Sequence, residues 1–222
     1  IKLGSNFSNI SNLNGDKLIA GTACYQKKLS EFAKDNSLSG LEFLSCIPGT
    51  VGGGIRMNSG CFGKEFKDII LSVQVIDFDG NIRSIPSSKI SFNYRESDLD
   101  KDIIFLSATF KTNKGDKKNI DHLMNNLKEK KNLSQPSKIK TGGSTFKNPK
   151  NQTDKKVWQL IKSCIPDQIR FGDAIISDKH SNFFENKKNA SYSDMMSLIE
   201  YVKKKVKEDT GINLSLEIIL VE

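Results

Sequence analysis

Between residues 38 and 63 the chain reads LSGLEFLSCIPGTVGGGIRMNSGCFG, a stretch holding seven of its sixteen glycines. An apolar run over residues 41–47 stops at Pro48. Gly49, Gly52, Gly53 and Gly54 then fall within six residues, and Gly60 follows. Without a Cβ, main-chain N–H groups can come close to a ligand and the chain can take positive φ. Successive N–H groups in turns form an anion-binding concavity. The segment is therefore expected to be a loop that wraps a phosphate-bearing ligand. Spacing excludes two phosphate loops. A Walker loop needs Lys and then Ser or Thr after its last glycine, whereas Ile55 and Arg56 follow Gly54. Gly49-Thr50-Val51-Gly52 does not give G-x-G-x-x-G, and no clear strand with an acidic residue about 20 positions on accompanies it. A tight turn between packed elements is the competing reading.

The chain has 222 residues, 36% hydrophobic and 27% charged. That suffices for one large domain or two small ones and is a globular balance, not a disordered one. No apolar run approaches the roughly 18 residues of a membrane span, and no signal-peptide pattern opens the chain, so no membrane partner is expected. Cys24, Cys46, Cys61 and Cys164 show no C-x-x-C and no histidine at zinc spacing. They read as reduced thiols of a cytoplasmic protein without a metal. The net charge of +8 suits an acidic small molecule but would also suit nucleic acid. Lysine runs such as Lys203-Lys204-Lys205 default to a solvated helix face, and few aromatics accompany them for stacking on single strands.

Hydrophobic spacing gives a strand over residues 17–20, a helix over 26–36, and strands over 69–77, 82–85 and 103–110, with a hairpin turn at Asp79-Gly80. A helix follows over 119–132. Residues 134–143 are short of large apolar side chains and read as a linker, so the expected domains are 1–132 and 133–222. A short helix over 154–163 and strands near Ile175 and Phe183 come next. Ser191 with Asp194 forms a capping box for a helix that Gly211 ends. Residues 214–221 alternate and read as a closing strand, with Glu217 opposite its apolar stripe. Mixed helices and strands without strict alternation point to α+β.

Three polar stretches could carry chemistry. GGSTFKNP, residues 142–149, presents Ser144 after two glycines, with Lys147 and Asn148 close by. A helix cap or a turn built on the serine hydroxyl is the competing reading. The hydrolase elbow G-x-S-x-G is not matched, because Phe146 stands two residues after Ser144. Neither histidine, His122 or His180, is placed as a base by the sequence. NYRES, residues 93–97, offers Tyr94 and Arg95, whose planar guanidinium can grip a carboxylate. SDKHSNFF, residues 177–184, holds His180 in a polar turn.

Together IPGTVGGGIRMNSGCFG, NYRES, GGSTFKNP, SDKHSNFF and GINLSLE, in that order, resemble the MurB family of UDP-N-acetylenolpyruvoylglucosamine reductases. The resemblance runs over nearly the whole chain and looks like the shorter class of that family. It implies the second lobe of a two-lobed FAD-binding domain of the PCMH or vanillyl-alcohol-oxidase type, followed by a smaller α+β substrate-binding domain. The chain opens on Ile1 in a region similar to the one after a further glycine-rich flavin loop, so a smaller N-terminal lobe is expected upstream. The implied cofactors are FAD and NADPH, and the implied substrate is an enolpyruvyl UDP-sugar, acted on by a cytoplasmic monomer with no nucleic acid. Ser144 falls on the family's proton donor, Arg95 on its catalytic arginine and Glu217 on its catalytic glutamate. Ile47, Pro48, Gly49, Thr50, Gly52, Gly53, Asn58 and Gly60 fall on flavin-binding positions. Tyr94, Lys147, Asn148 and His180 fall on substrate-binding ones. Gly54 and Ser59 stand where alanine is usual, Ser163-Cys164 where Ala-Gly is, and Asp173 where a glycine is. Another flavin-dependent oxidoreductase on a related fold, or a basic nucleotide- or RNA-binding module without catalysis, are the alternatives.

Overall fold

The computed structural model describes residues 3–13, 15–136 and 139–221. The chain forms two compact units, Ile1–Lys131 and Asn132–Glu222. Of the linker read at residues 134–143, residues 137 and 138 lie outside the described residues.

In the first unit a five-stranded antiparallel sheet runs in the order Ile10–Leu13, Lys17–Gly21, Ile103–Lys111, Ile70–Asp77, Ile82–Pro86. The Ile103–Lys111 strand is central, with Ala108 opposite both Ala20 and Val73. A register shift between Phe105 and Ser107 changes the alternation from odd to even, so that Ile103 and Phe105 before it and Ala108 and Phe110 after it share the buried face. A bulge of this kind inserts one residue and so offsets the two-residue period. Helix α1, Gln26–Asp35, buries Leu29 and Ala33, one turn apart, and helix α3, Lys117–Ser134, buries Ile120 and Met124. Phe66 and Phe110 meet edge to face at 6.1 Å in the same core.

The glycine stretch is not a loop throughout. Val51–Arg56 form a short helix, α2, capped by the Thr50 hydroxyl, which accepts from the Gly53 N–H at 3.4 Å. Val51 and Ile55 are fully buried, so this helix is pressed onto the core. The glycines permit the approach. A Cβ on Gly54 would lie 2.3 Å from the Phe66 ring, and one on Gly52 would lie 3.2 Å from the Thr22 Cβ. The Phe66 ring thus occupies the space that the alanine usual at position 54 would need.

The second unit holds a four-stranded antiparallel sheet in the order Thr141–Ser144, Phe183–Asn186, Ala174–Ile176, Arg170–Phe171. Helices α4, Val157–Cys164, and α5, Tyr192–Thr210, belong to the same core, with Phe146 at its centre. Within α5, Leu198, Ile199, Val202 and Val206 are all fully buried. Each contributes about 1.5–3 kcal/mol relative to exposure, as an upper estimate. Its ends follow the sequence. Ser191 Oγ accepts from the Asp194 N–H at 3.1 Å, Asp194 returns the bond at 2.9 Å, and Gly211 has φ 73°.

Residues 214–221 do not form the expected strand. They make a single bridge, Leu216 to Phe146. Leu214 is buried, but Ile219 and Val221 are 74% and 84% exposed, so the alternation is not used. In that antiparallel register residues 218–221 would face residues 141–144, where a register shift and Gly143 at φ +90° distort the strand.

Gly54→Ala is expected to lower stability by about 1–3 kcal/mol through overpacking against Phe66, although alanine is the better helix former. Urea denaturation measures it, and a smaller side chain at position 66 should recover part of the loss. An unchanged midpoint would show that the ring yields freely.

Candidate functional site

The first unit shows what the glycine turn leaves available. Its backbone is stitched to the chain leaving the Lys17–Gly21 strand. Gln26 N–H donates to Gly49 O at 3.1 Å, Val51 N–H to Cys24 O at 2.8 Å, and Gly52 N–H to Thr22 O at 2.9 Å. The Thr22 hydroxyl is itself bonded to the Phe105 carbonyl of the central strand. The donors of Val51 and Gly52 are therefore committed to the protein. Those of Gly49 and Thr50 have no acceptor among the described residues. Gly49 has φ +100° and, like Pro48 and Gly53, is exposed. Ile47 packs against the core behind them. Beneath the turn Gln26 Nε2 holds Thr50 O at 3.2 Å, while its buried Oε1 lacks a partner among the described residues. Exposed main chain without a Cβ at Gly49 and two uncommitted donors fit a phosphate-bearing cofactor such as FAD.

Arg95 belongs to the same unit. It follows Tyr94 in the two-residue turn of a hairpin, Phe92–Asn93 with Glu96–Ser97, and has φ 60°. A non-glycine residue held there is a strained placement that the surroundings must enforce. They do so through Asn58, which is fully buried. Its Nδ2 donates to Asn93 O and Glu65 Oε2, both at 3.0 Å, and its Oδ1 accepts from the Lys67 N–H at 3.0 Å. Ser97 Oγ donates to Arg56 O at 3.1 Å, and Arg56 Nη2 to Asp100 O at 2.8 Å. The Arg95 guanidinium lies 4.9 Å from the Tyr94 ring centre and donates to Gly60 O at 3.2 Å. Gly60 is required by the close strand it faces, since a Cβ there would lie 2.3 Å from Lys64 O. In the structure Asn58 is thus a clamp on the arginine hairpin.

In the second unit Ser144 ends the Thr141–Ser144 strand, with Phe183 opposite. A register shift between Thr141 and Ser144, with Gly143 at φ +90°, re-aims the serine, which is half-buried. The next residues are locked on both sides. Thr145 N–H donates to Asn182 O at 2.8 Å, and the buried Asn182 amide bonds both Phe146 N–H, at 3.0 Å, and Phe146 O, at 2.9 Å. On the other side Lys147 N–H donates to Ser215 O at 2.9 Å and Glu217 N–H to Thr145 O at 2.8 Å. The half-buried Glu217 is therefore laid against the residue next to Ser144. The Lys147 ammonium has no carboxylate partner among the described residues. Asn148 Oδ1 accepts from the Val157 N–H at 3.0 Å and so fixes the start of α4.

His180 Nδ1 accepts from the Asn182 N–H at 3.2 Å, so the neutral ring carries its proton on Nε2. Burial holds its pKa below the usual histidine value. The thiols of Cys24 and Cys61 are not poised for nucleophilic attack. Burial pushes Cys61 up to about 12 and raises Cys24.

The structure thus gathers Ile47, Pro48, Gly49, Thr50, Gly52, Gly53, Asn58, Gly60, Tyr94 and Arg95 in the first unit and Ser144, Lys147, Asn148, His180 and Glu217 in the second. The residues that hold them, Thr22, Gln26, Arg56 and Asn182, escape sequence reasoning because their partners lie far along the chain. Asn182 stands within the quoted SDKHSNFF stretch, and its burial is the signal the sequence lacks.

Comparison with known proteins agrees over both units. The family described as UDP-N-acetylenolpyruvoylglucosamine reductase, C-terminal domain, matches residues 135–221, and the FAD binding domain family matches residues 1–85. A UDP-N-acetylenolpyruvoylglucosamine reductase of Pelagibacter ubique (strain HTCC1062) is 59% identical over 98% of this chain and 72% of its own length. One of Rickettsia akari (strain Hartford) is 45% identical over 100% of this chain and 74% of its own length. The crystal structure of UDP-N-acetylenolpyruvylglucosamine reductase (MurB) from Thermus caldophilus superposes with a TM-score of 0.83 at 30% identity, covering 97% of this chain and 75% of that one.

Asn58→Ala leaves Lys67 N–H, Glu65 and Asn93 O without their partner and is expected to cost about 2–4 kcal/mol of stability, measured in urea. A variant of full stability that loses only flavin would show instead that Asn58 faces the cofactor.

Proposed function

We propose that this chain, which belongs to the UDP-N-acetylenolpyruvoylglucosamine reductase family, reduces the enolpyruvyl group of UDP-N-acetylglucosamine enolpyruvate to give UDP-N-acetylmuramate in peptidoglycan precursor synthesis. FAD is the cofactor and NADPH the reductant. One observation supports it above the others: a serine lifted on a glycine bulge has the Glu217 backbone fastened beside it, in a chain 59% identical to a named reductase. The first unit is read as the second lobe of the FAD-binding domain and the second as the substrate-binding domain.

When bound, FAD supplies the relay that carries hydride from NADPH to the enolpyruvyl double bond. The protein's part is binding, orientation and charge. The uncommitted donors of Gly49 and Thr50 would hold the cofactor's phosphates, and Ile47, Pro48, Gly52, Gly53 and Gly60 would shape the bed around them, with Asn58 bracing it. Arg95 grips the substrate carboxylate with its planar guanidinium, and Tyr94 supports it. Glu217 acts with Arg95 at that end of the substrate. Ser144 gives its hydroxyl proton to the carbon next to the carboxylate. A serine hydroxyl is a very weak acid, so it can protonate only a strongly basic carbanion-like carbon of the kind that hydride addition to the neighbouring carbon creates. The Lys147 ammonium stabilises the alkoxide left behind. Asn148 and His180 line the substrate's path.

The enzyme works as a cytoplasmic monomer on small molecules, with neither nucleic acid nor membrane as partner. Among the described residues no helix is long and apolar enough to cross a membrane.

Ser144→Ala tests the assignment. Reduction of bound flavin by NADPH, followed by loss of visible absorbance, should be retained. Turnover of the enolpyruvyl UDP-sugar should fall on the order of 10²–10⁴-fold, the range for losing a general acid. Turnover that survives would remove Ser144 as proton donor and favour another flavin-dependent reaction.

A further inference from the structure

Gln26 opens helix α1 and is 1% exposed, a rare depth for a glutamine. It shares the buried face of the helix with Leu29, Ser30 and Ala33. From there it meets the glycine turn twice. Its main-chain N–H donates to Gly49 O at 3.1 Å, and its Nε2 donates to Thr50 O at 3.2 Å. The amide also lies close under the bare main chain of the turn. A Cβ on Gly54 would stand 3.1 Å from Nε2, and one on Gly49 would stand 3.9 Å from it.

Hydrogen-bond accounting does not explain this side chain. Thr50 O already accepts from the Gly54 N–H at 3.0 Å, so it is paired without Gln26. At the other end of the amide, Oε1 is buried and has no partner among the described residues. Which end is which is settled by Thr50 O, because only the NH₂ end can donate to a carbonyl. A buried acceptor left unpaired costs more than an average hydrogen bond returns. An apolar side chain of the same length would leave no polar atom unpaired here. Stability is therefore not the reason for a glutamine at this position.

The contacts act on direction instead. The Gly49–Thr50 peptide is planar and trans, so its C=O and N–H point opposite ways. Holding Gly49 O from below turns the Thr50 N–H away from α1. Nε2 holds the next carbonyl, on a peptide whose far edge is fixed by the bond from Val51 N–H to Cys24 O. The amide thereby backs Gly49, whose φ of +100° is easily changed in a residue without a Cβ. Gly49 and Thr50 are the two residues of this turn whose N–H groups stay uncommitted.

We infer that Gln26 is a positioning residue: its side-chain amide sets the Gly49 and Thr50 donors for the phosphates of FAD, at a cost in the stability of the empty protein. The inference rests on the cofactor reading above and extends it to a buried residue that does not touch the cofactor. Donors already aimed at an anion bind it without being reordered on each encounter. An unfavourable buried group kept beside a binding turn is a known form of exchange between stability and function.

Gln26→Met keeps the length and removes both ends of the amide. Full-length protein stripped of flavin is compared with wild type in three readings. The urea midpoint of the flavin-free variant should equal or exceed that of wild type. Its Kd for FAD, read from quenching of flavin fluorescence, should rise on the order of 10- to 100-fold, as for one lost hydrogen bond to a charged group. Amide hydrogen exchange at Gly49 and Thr50 should be slowed by FAD in wild type, and that protection should be lost in the variant. A residue that only supports the fold would lower the midpoint along with the affinity. Gln26→Leu, which is shorter, decides the matter if methionine overpacks. A midpoint lowered in both variants, or an FAD affinity unchanged in both, overturns the inference. If FAD slows neither amide in wild type, the cofactor reading of the turn fails. If FAD slows both amides equally in wild type and variants, only the role of Gln26 fails.

Discussion

The first unit depends on how closely a helix can be laid on a sheet. Helix α2 reaches the core only because Gly54 leaves room for the Phe66 ring and Gly52 leaves room for Thr22. A Cβ at either place would push the helix outward, and the bonds from Val51 and Gly52 to Cys24 and Thr22 would stretch with it. Those bonds orient the turn at Gly49 and leave its N–H and that of Thr50 uncommitted. The glycines therefore act mainly by what they allow to pack, and only one of the four, Gly49, needs positive φ.

From that helix the constraint passes to the arginine hairpin. Arg56, Asn58 and Ser97 tie α2 and its following turn to residues 93–100, and the strained φ of Arg95 is maintained by those ties. A guanidinium on a long flexible stem is a poor catalyst unless its backbone is fixed, because ordering it on each encounter costs side-chain entropy. Fixing the hairpin through buried amide bonds sets that order during folding. The second unit solves the same problem differently. Asn182 uses both ends of its amide on Phe146, and the chain at 215–217 closes the other side. Removing one partner of such a buried pair leaves the other unsatisfied, which is why these contacts are worth more than an average hydrogen bond.

Sequence periodicity served well where burial was one-sided. Helix α5, with its capping box and terminal glycine, and the hairpin around Asp79-Gly80 lie where their local signals put them. It served poorly where a partner decided the outcome. Residues 214–221 alternate like a strand, yet they form none, because the chain they would face offers one bridge at Phe146 and then the bulged stretch around Gly143. The glycine stretch reads as a loop, yet Val51–Arg56 within it are helical, because Val51 and Ile55 are pulled into the core.

By itself the sequence determined the α+β class, the family, and the residue types available for chemistry: a guanidinium, a hydroxyl, a carboxylate and a run of main chain without side chains. These are properties of residues and of their order along the chain. Only the tertiary structure decided which donors of the glycine turn stay uncommitted, that Asn58 clamps a hairpin, that Asn182 locks the serine loop, and that Gln26 lies buried beneath the glycine turn. Each of those depends on atoms distant in sequence being brought within hydrogen-bond or van der Waals range, and no local pattern records that distance.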